Sequence, residues 1–188
     1  MSNVFTVCVG SGSCFGHCAA AVVAYPIMSK TLIFIRHAHR DTEDPSRDNG
    51  LSEKGQNQVE DLVKYFKGWF AREHEDAKVK CYSSPKKRCV QTLEPISRGL
   101  GQSIEIDARI TEVSPLESES EARARLGAFL EDWKSKNSEV TLVCSHGDVI
   151  PLCVQSLTGA RIGIKKAGVV QIEGVAGDYF LTALIQKV

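Results

Sequence analysis

A chain of 188 residues with 43% hydrophobic side chains is long enough for one domain that buries roughly 70% of its unfolded surface. Disorder, a collagen-like fibre and a coiled coil are excluded by this composition. The 23 basic and 23 acidic side chains cancel, which excludes a nucleic-acid coat or a polybasic membrane binder, since both need a sustained positive field.

The charges are unevenly spread. Residues 1–30 carry one charged side chain, Lys30, among small and apolar residues that include Cys8, Cys14, His17 and Cys18. As a secretory signal this stretch lacks a basic start and is interrupted by Gly10, Gly12 and Gly16. It is also too broken to span a bilayer, and its cysteines lack the paired spacing of a zinc site. Residues 1–28 are expected to be a leader outside the chemistry, with a packed extension or a targeting segment as alternatives. Residues 29–188 form the single domain. Cys81, Cys89, Cys144 and Cys153 fall inside predicted elements, and scattered cysteines of this kind act as small buried hydrophobes in a reducing compartment such as the cytoplasm.

From Thr31 the chain alternates short apolar runs with helical periods. Thr31–Ile35 reads as a strand buried on both faces. Val59, Leu62, Val63, Phe66 and Phe70 follow a helical spacing, with Ser52 as N-cap. Val79–Tyr82 is a second strand. Ser84 and Pro85 then supply the cap and first position of a helix reaching about Arg98, with a kink or stop at Pro95. Ile104–Ile106 is a minor strand. Leu126, Phe129, Leu130 and Trp133 mark a helix whose start is acidic at Glu119 and Glu121. Val140–Cys144 is a third buried strand, a helix covers Val149–Leu157, and Val169–Ile172 and Tyr179–Ile185 close the chain as an antiparallel pair or edge. This is an α/β domain with a mostly parallel sheet and helices on both faces.

Three strands run into the same kind of residue: Arg36-His37-Ala38-His39-Arg40, Ser83-Ser84-Pro85-Lys86-Lys87-Arg88, and Ser145-His146-Gly147-Asp148. In open α/β sheets ligands bind outside the carboxyl ends of the strands. The last two segments also open helices, whose N-termini favour anions, and arginine forks suit phosphate oxygens. A phosphoryl group fits all of these features. Taken singly, each segment has a plainer reading: a structural histidine, a helix cap, a solvated basic turn, or half a metal site over His37, His39, His146 and Asp148.

The same residues resemble a known family. Arg36-His37-Ala38 is similar to the Arg-His-Gly signature of the histidine phosphatase superfamily, which includes the phosphoglycerate mutases. Leu51-Ser-Glu-Lys-Gly55-Gln-Asn-Gln58, Ser84-Pro85-x-x-Arg88-x-x-Gln91-Thr92 and Ser145-His146-Gly147 resemble its further segments, in the family order. Ala38 replaces the usual glycine, and Arg40 stands where many members carry a small hydroxyl residue. The resemblance implies a three-layer α/β/α fold like that of phosphoglycerate mutase. It implies a nucleophile, His37, that becomes phosphorylated, with Arg36, Arg88 and His146 holding phosphoryl oxygens and His146 protonated by a bound dianion. Gly147 and Arg40 join the substrate-binding residues. No metal or other cofactor is required.

Glu112 is the candidate general acid, because an alkoxide leaves poorly without a proton; its plainer reading is a pairing with a pocket arginine. Glu117, Glu119 and Glu121 read as a helix start and a solvated face. Only about six residues separate Glu112 from the next helix, so the cap insertion is short, which points away from a mutase. From Met28 onward the chain resembles the small bacterial phosphohistidine phosphatases. The resemblance therefore implies a phosphorylated histidine-phosphotransfer domain as partner, or alternatively a small phosphate ester of the sugar-phosphate type.

Overall fold

The computed structural model describes residues 29–44, 47–73 and 77–188; the expected leader, with its three cysteines, lies outside them. The elements follow in the order β1 (Lys30–Arg36), α1 (Glu53–Glu73), β2 (Val79–Ser83), α2 (Lys87–Gly99), β3 (Ile104–Ile106), a 3-10 turn (Ala108–Ile110), α3 (Glu119–Ser135), β4 (Val140–Ser145), α4 (Val149–Thr158), β5 (Val169–Val175) and β6 (Asp178–Ile185). They build one sheet in the order β3-β2-β4-β1-β5-β6. The first four are mutually parallel, and β5 is antiparallel to both β1 and β6.

Alternation along the central strands sorts the core into two layers. Ile33, Ile35, Cys81, Leu142 and Cys144 face Leu62, Phe66, Leu93 and Ile96 of α1 and α2. Leu32, Phe34, Tyr82 and Val143 face Leu126, Phe129, Trp133 and Ile150 of α3 and α4. Each fully buried large side chain contributes roughly 1.5–3 kcal/mol, which explains why β1 and β4 read as continuous apolar runs. The fold is the expected three-layer α/β/α sandwich. All four described cysteines are buried free thiols.

Two local readings need correction. The helix after β2 starts at Lys87, with Lys86 as an N-cap that makes no side-chain bond, so Ser84 and Pro85 precede it. Ser84 is instead drawn to His146, as described below. The helix reaches Gly99, next to the expected end at about Arg98, and does not stop at Pro95. In contrast, the Ser52 hydroxyl accepts from Gly55 N at 3.2 Å at the start of α1, as predicted. Helix α3 opens with a full capping box between Ser118 and Glu121, while Glu117 binds Arg125 rather than lying on the solvated face. Among the described residues no helix is long and apolar enough to cross a membrane.

The register aligns the strand exits. Arg36 sits opposite Ser145 and Ser83 opposite Cys144. Beyond the strands the ladder continues for one more bond each: His37 N donates to Ser145 O at 3.0 Å and Ser84 N to Cys144 O at 3.0 Å. Asp107 N, at 3.0 Å from Ser83 O, brings the 3-10 turn and Glu112 to the same edge.

Candidate active site

His37 is 4% exposed, and its Nδ1 lies 2.8 Å from Ala38 O. A carbonyl can only accept, so Nδ1 carries the proton and the Nε2 lone pair is left for chemistry. Arg88 Nε donates to that Nε2 at 3.3 Å. Burial pushes the imidazole down to about 4, helped by the charges of Arg88, Arg36 and Lys166 and opposed by the Ala38 carbonyl. The group is therefore neutral, as a nucleophile must be.

Arg88 projects from the first turn of α2 and is 2% exposed. Its Nη1 donates to Asp48 Oδ1 at 3.2 Å and its Nη2 to Glu112 Oε2 at 2.7 Å. Nη2 also lies 3.4 Å from His146 Nδ1. Since the guanidinium only donates, His146 Nδ1 accepts, and its protonated Nε2 donates to Ser84 Oγ at 2.8 Å. The two imidazole centroids are 5.3 Å apart. His146 is pushed down to about 3, by burial first and then by His37, Arg88, Lys86 and Arg36. The protein alone thus holds His146 neutral; the protonated form is the one expected once a bound dianion opposes these cations. Glu112 Oε1 is 4.0 Å from His146 Nδ1, so the candidate acid stands in the same pocket while making the predicted pairing with an arginine.

Arg36 closes the other side. Its Nη1 donates to Ile164 O at 2.6 Å, and its buried Nε has no hydrogen-bond partner, which leaves a donor for a ligand oxygen. Arg40 is half-buried on the same loop. The structure thus gathers Arg36, His37, Arg88, Glu112, His146 and Gly147 into one pocket.

Residues 32–115 match the sequence profile of the histidine phosphatase superfamily (branch 1). Over these residues the chain is similar in sequence to that superfamily. Its fold is similar to a mycobacterial glucosyl-3-phosphoglycerate phosphatase (TM-score 0.67, 16% identity, covering 85% of this chain and 100% of that one). It is also similar to a phosphoglycerate mutase from Bacillus anthracis (0.69, 16%, 84% and 93%) and to a phosphoserine phosphatase mutant from Entamoeba histolytica (0.66, 16%, 83% and 96%). No curated protein matches the sequence.

The segments that resemble those of the superfamily are struts around the histidine. Ala38 N donates to Thr92 Oγ1 at 3.0 Å, and that hydroxyl donates to Arg88 O at 2.7 Å. His39 N donates to Gln58 Oε1 and Leu51 N to Gln91 Oε1, both at 2.8 Å. Ala38 is fully buried and is not among the positive-φ residues, so its methyl is accommodated where glycine is usual. The metal-site alternative is not assembled: His39 Nδ1 binds Ser52 Oγ at 2.9 Å, and Asp148 accepts from Val113 N and Val149 N. Asp48, Ser84 and Lys166 were not singled out as site residues by the sequence. The only sequence signal for Ser84 was its place in the Ser-Pro segment, and Asp48 and Lys166 had none.

Proposed function

We propose that this chain is a histidine phosphatase superfamily enzyme that hydrolyses small phosphate monoesters through a covalent phosphohistidine on His37. The Glu112 carboxylate takes up the proton that the ester monoanion brings; Nε2 of His37 then forms a bond to phosphorus as the ester P–O bond breaks, and Glu112 passes that proton to the departing alkoxide oxygen. Water then attacks the phosphohistidine, its proton passes to the Glu112 carboxylate, and inorganic phosphate leaves. Arg36 and Arg88 steady the charge on the phosphoryl oxygens throughout.

One observation carries this reading: a carboxyl group stands in the pocket, bonded to Arg88 at 2.7 Å. An alkoxide needs that proton, whereas an imidazole leaving group needs it far less. The names of the similar structures point the same way, since they specify small phosphate esters. Nothing comparable supports a phosphorylated histidine-phosphotransfer domain as the substrate.

The test combines acid-quenched labelling with a substrate panel. Acid-labile phosphate should appear on wild-type protein and vanish in His37→Ala. Glu112→Gln should lower turnover of alkyl phosphates by about 10²-fold or more while sparing an aryl phosphate with a good leaving group. Turnover confined to a phosphohistidine protein, with alkyl phosphates inert, would overturn the proposal.

A further inference from the structure

The charges of the pocket are not evenly compensated. On the α2 side, Arg88 is paired with both Asp48 and Glu112. The opposite rim is built from three segments that lock together. The loop leaving β1 carries Arg36 and Arg40, and Arg40 forms an isolated antiparallel bridge with Leu51. The first turn of α1 lies on this loop, with Ser52 N donating to His39 O at 3.0 Å, and it carries Lys54. The loop before β5 lies on it as well, through Ala167 N to Arg36 O at 3.1 Å and His37 O at 3.3 Å, and it carries Lys166.

Arg40 and Lys166 are half-buried and Lys54 is exposed, and among the described residues none is paired with a carboxylate. The electrostatics agree. Burial lowers Lys166, Arg36, Arg40 and Lys54 lower it further, and no acid opposes them. Four cations thus converge on a site whose phosphoryl group brings about two negative charges. Like charges held together cost stability unless a ligand or counterion offsets them.

Building on the phosphatase reading above, we propose that Arg40, Lys54 and Lys166 form a second anion subsite that takes a carboxylate or second phosphate on the same small ester. Such a subsite would orient the substrate and set its class as phosphorylated acids or bisphosphates rather than neutral phosphate esters. Arg40, at the position where the superfamily pattern usually has a small hydroxyl residue, supplies one of its three charges.

Phosphoglycolate and its uncharged amide test this, because they differ only in the charge of the distal group. Calorimetry on His37→Ala protein, which does not turn the esters over, should show phosphoglycolate binding about tenfold tighter, as a charge-assisted contact warrants. Added to it, Lys166→Gln, and Lys166→Gln combined with Arg40→Gln, should each shrink that ratio, the combined pair bringing it close to unity. Equal affinities in the His37→Ala protein, or added substitutions that weaken both ligands by the same factor, would overturn the subsite. The phosphatase reading is decided separately by acid-labile phosphate on His37 from an aryl phosphate. A protein that prefers phosphoglycolate but never labels keeps the subsite and loses the reaction, and the converse result keeps the reaction and loses the subsite.

Discussion

The guanidinium of Arg36 occupies the space that a side chain on Gly147 would fill. A Cβ there would lie 2.5 Å from Cζ, 2.7 Å from Nε and 2.9 Å from Nη1. Arg36 is held in place by Ile164 O, so a methyl group at 147 must push it off the proposed phosphoryl site. Gly147→Ala is expected to lower kcat/KM by about 10²-fold, the scale of a misplacement of about 1 Å. The moving group is a side chain, so Tm should change by only a few degrees. Steady-state kinetics paired with thermal melts check both parts, and an active variant would mean that Arg36 does not need this position.

The layers were legible because buried parallel strands and amphipathic helices leave strong periods, as in Thr31–Ile35 and Leu126–Trp133. His37, Arg88 and His146 were legible because three strands end in basic or imidazole residues at one edge. Asp48 was not, since Asp41, Asp44 and Asp48 share one irregular stretch and only the fold selects the one that meets Arg88. Ser84 was misread for a related reason. A serine before proline is a good cap locally, but burial beside His146 gives its hydroxyl a better partner. Lys166 stands before β5, about 130 residues after His37, and no local pattern ties the two.

Gly55→Ala should behave differently from the change at 147. A Cβ at 55 would lie 2.1 Å from His39 O, which is backbone on both sides, so the first turn of α1 must withdraw. The expected loss is about 1–3 kcal/mol despite alanine's better helix propensity. Gly127 of α3 has nothing within 4 Å of the same added atom, and Gly127→Ala should gain about 0.5–1 kcal/mol. Denaturant unfolding of the two variants should therefore give shifts of opposite sign; shifts of the same sign would contradict the close contact at His39.

Thr92→Val isolates the strut beneath the proposed nucleophile, His37. The hydroxyl is fully buried and serves both Ala38 N and Arg88 O. An isosteric valine leaves the Ala38 amide without an acceptor, at a cost of about 1–3 kcal/mol. It also releases the loop that aims His37, so kcat should fall along with stability, and Thr92→Ser should restore both. Unchanged stability in the valine variant would show that the amide finds another acceptor.

The depressed histidines fix the acid side of the stability profile. His37 and His146 are held neutral, at about 4 and about 3, against 6.5 for an ordinary histidine. Between those values the unfolded chain binds more protons than the folded one, so stability rises with pH across this window. The contribution of neutral burial is complete above about pH 6.5 and is lost as pH falls through about 4 for His37 and about 3 for His146. Each histidine adds a slope of up to about 1.4 kcal/mol per pH unit. Urea unfolding from pH 7 to pH 4.5 should show this loss, and His37→Asn should make it shallower. Parallel profiles for the two proteins would show that His37 is not buried in its neutral form. A phosphoryl analogue such as vanadate should raise the value of His146, so its binding should take up protons near pH 5.5, measurable as a buffer-dependent heat in calorimetry.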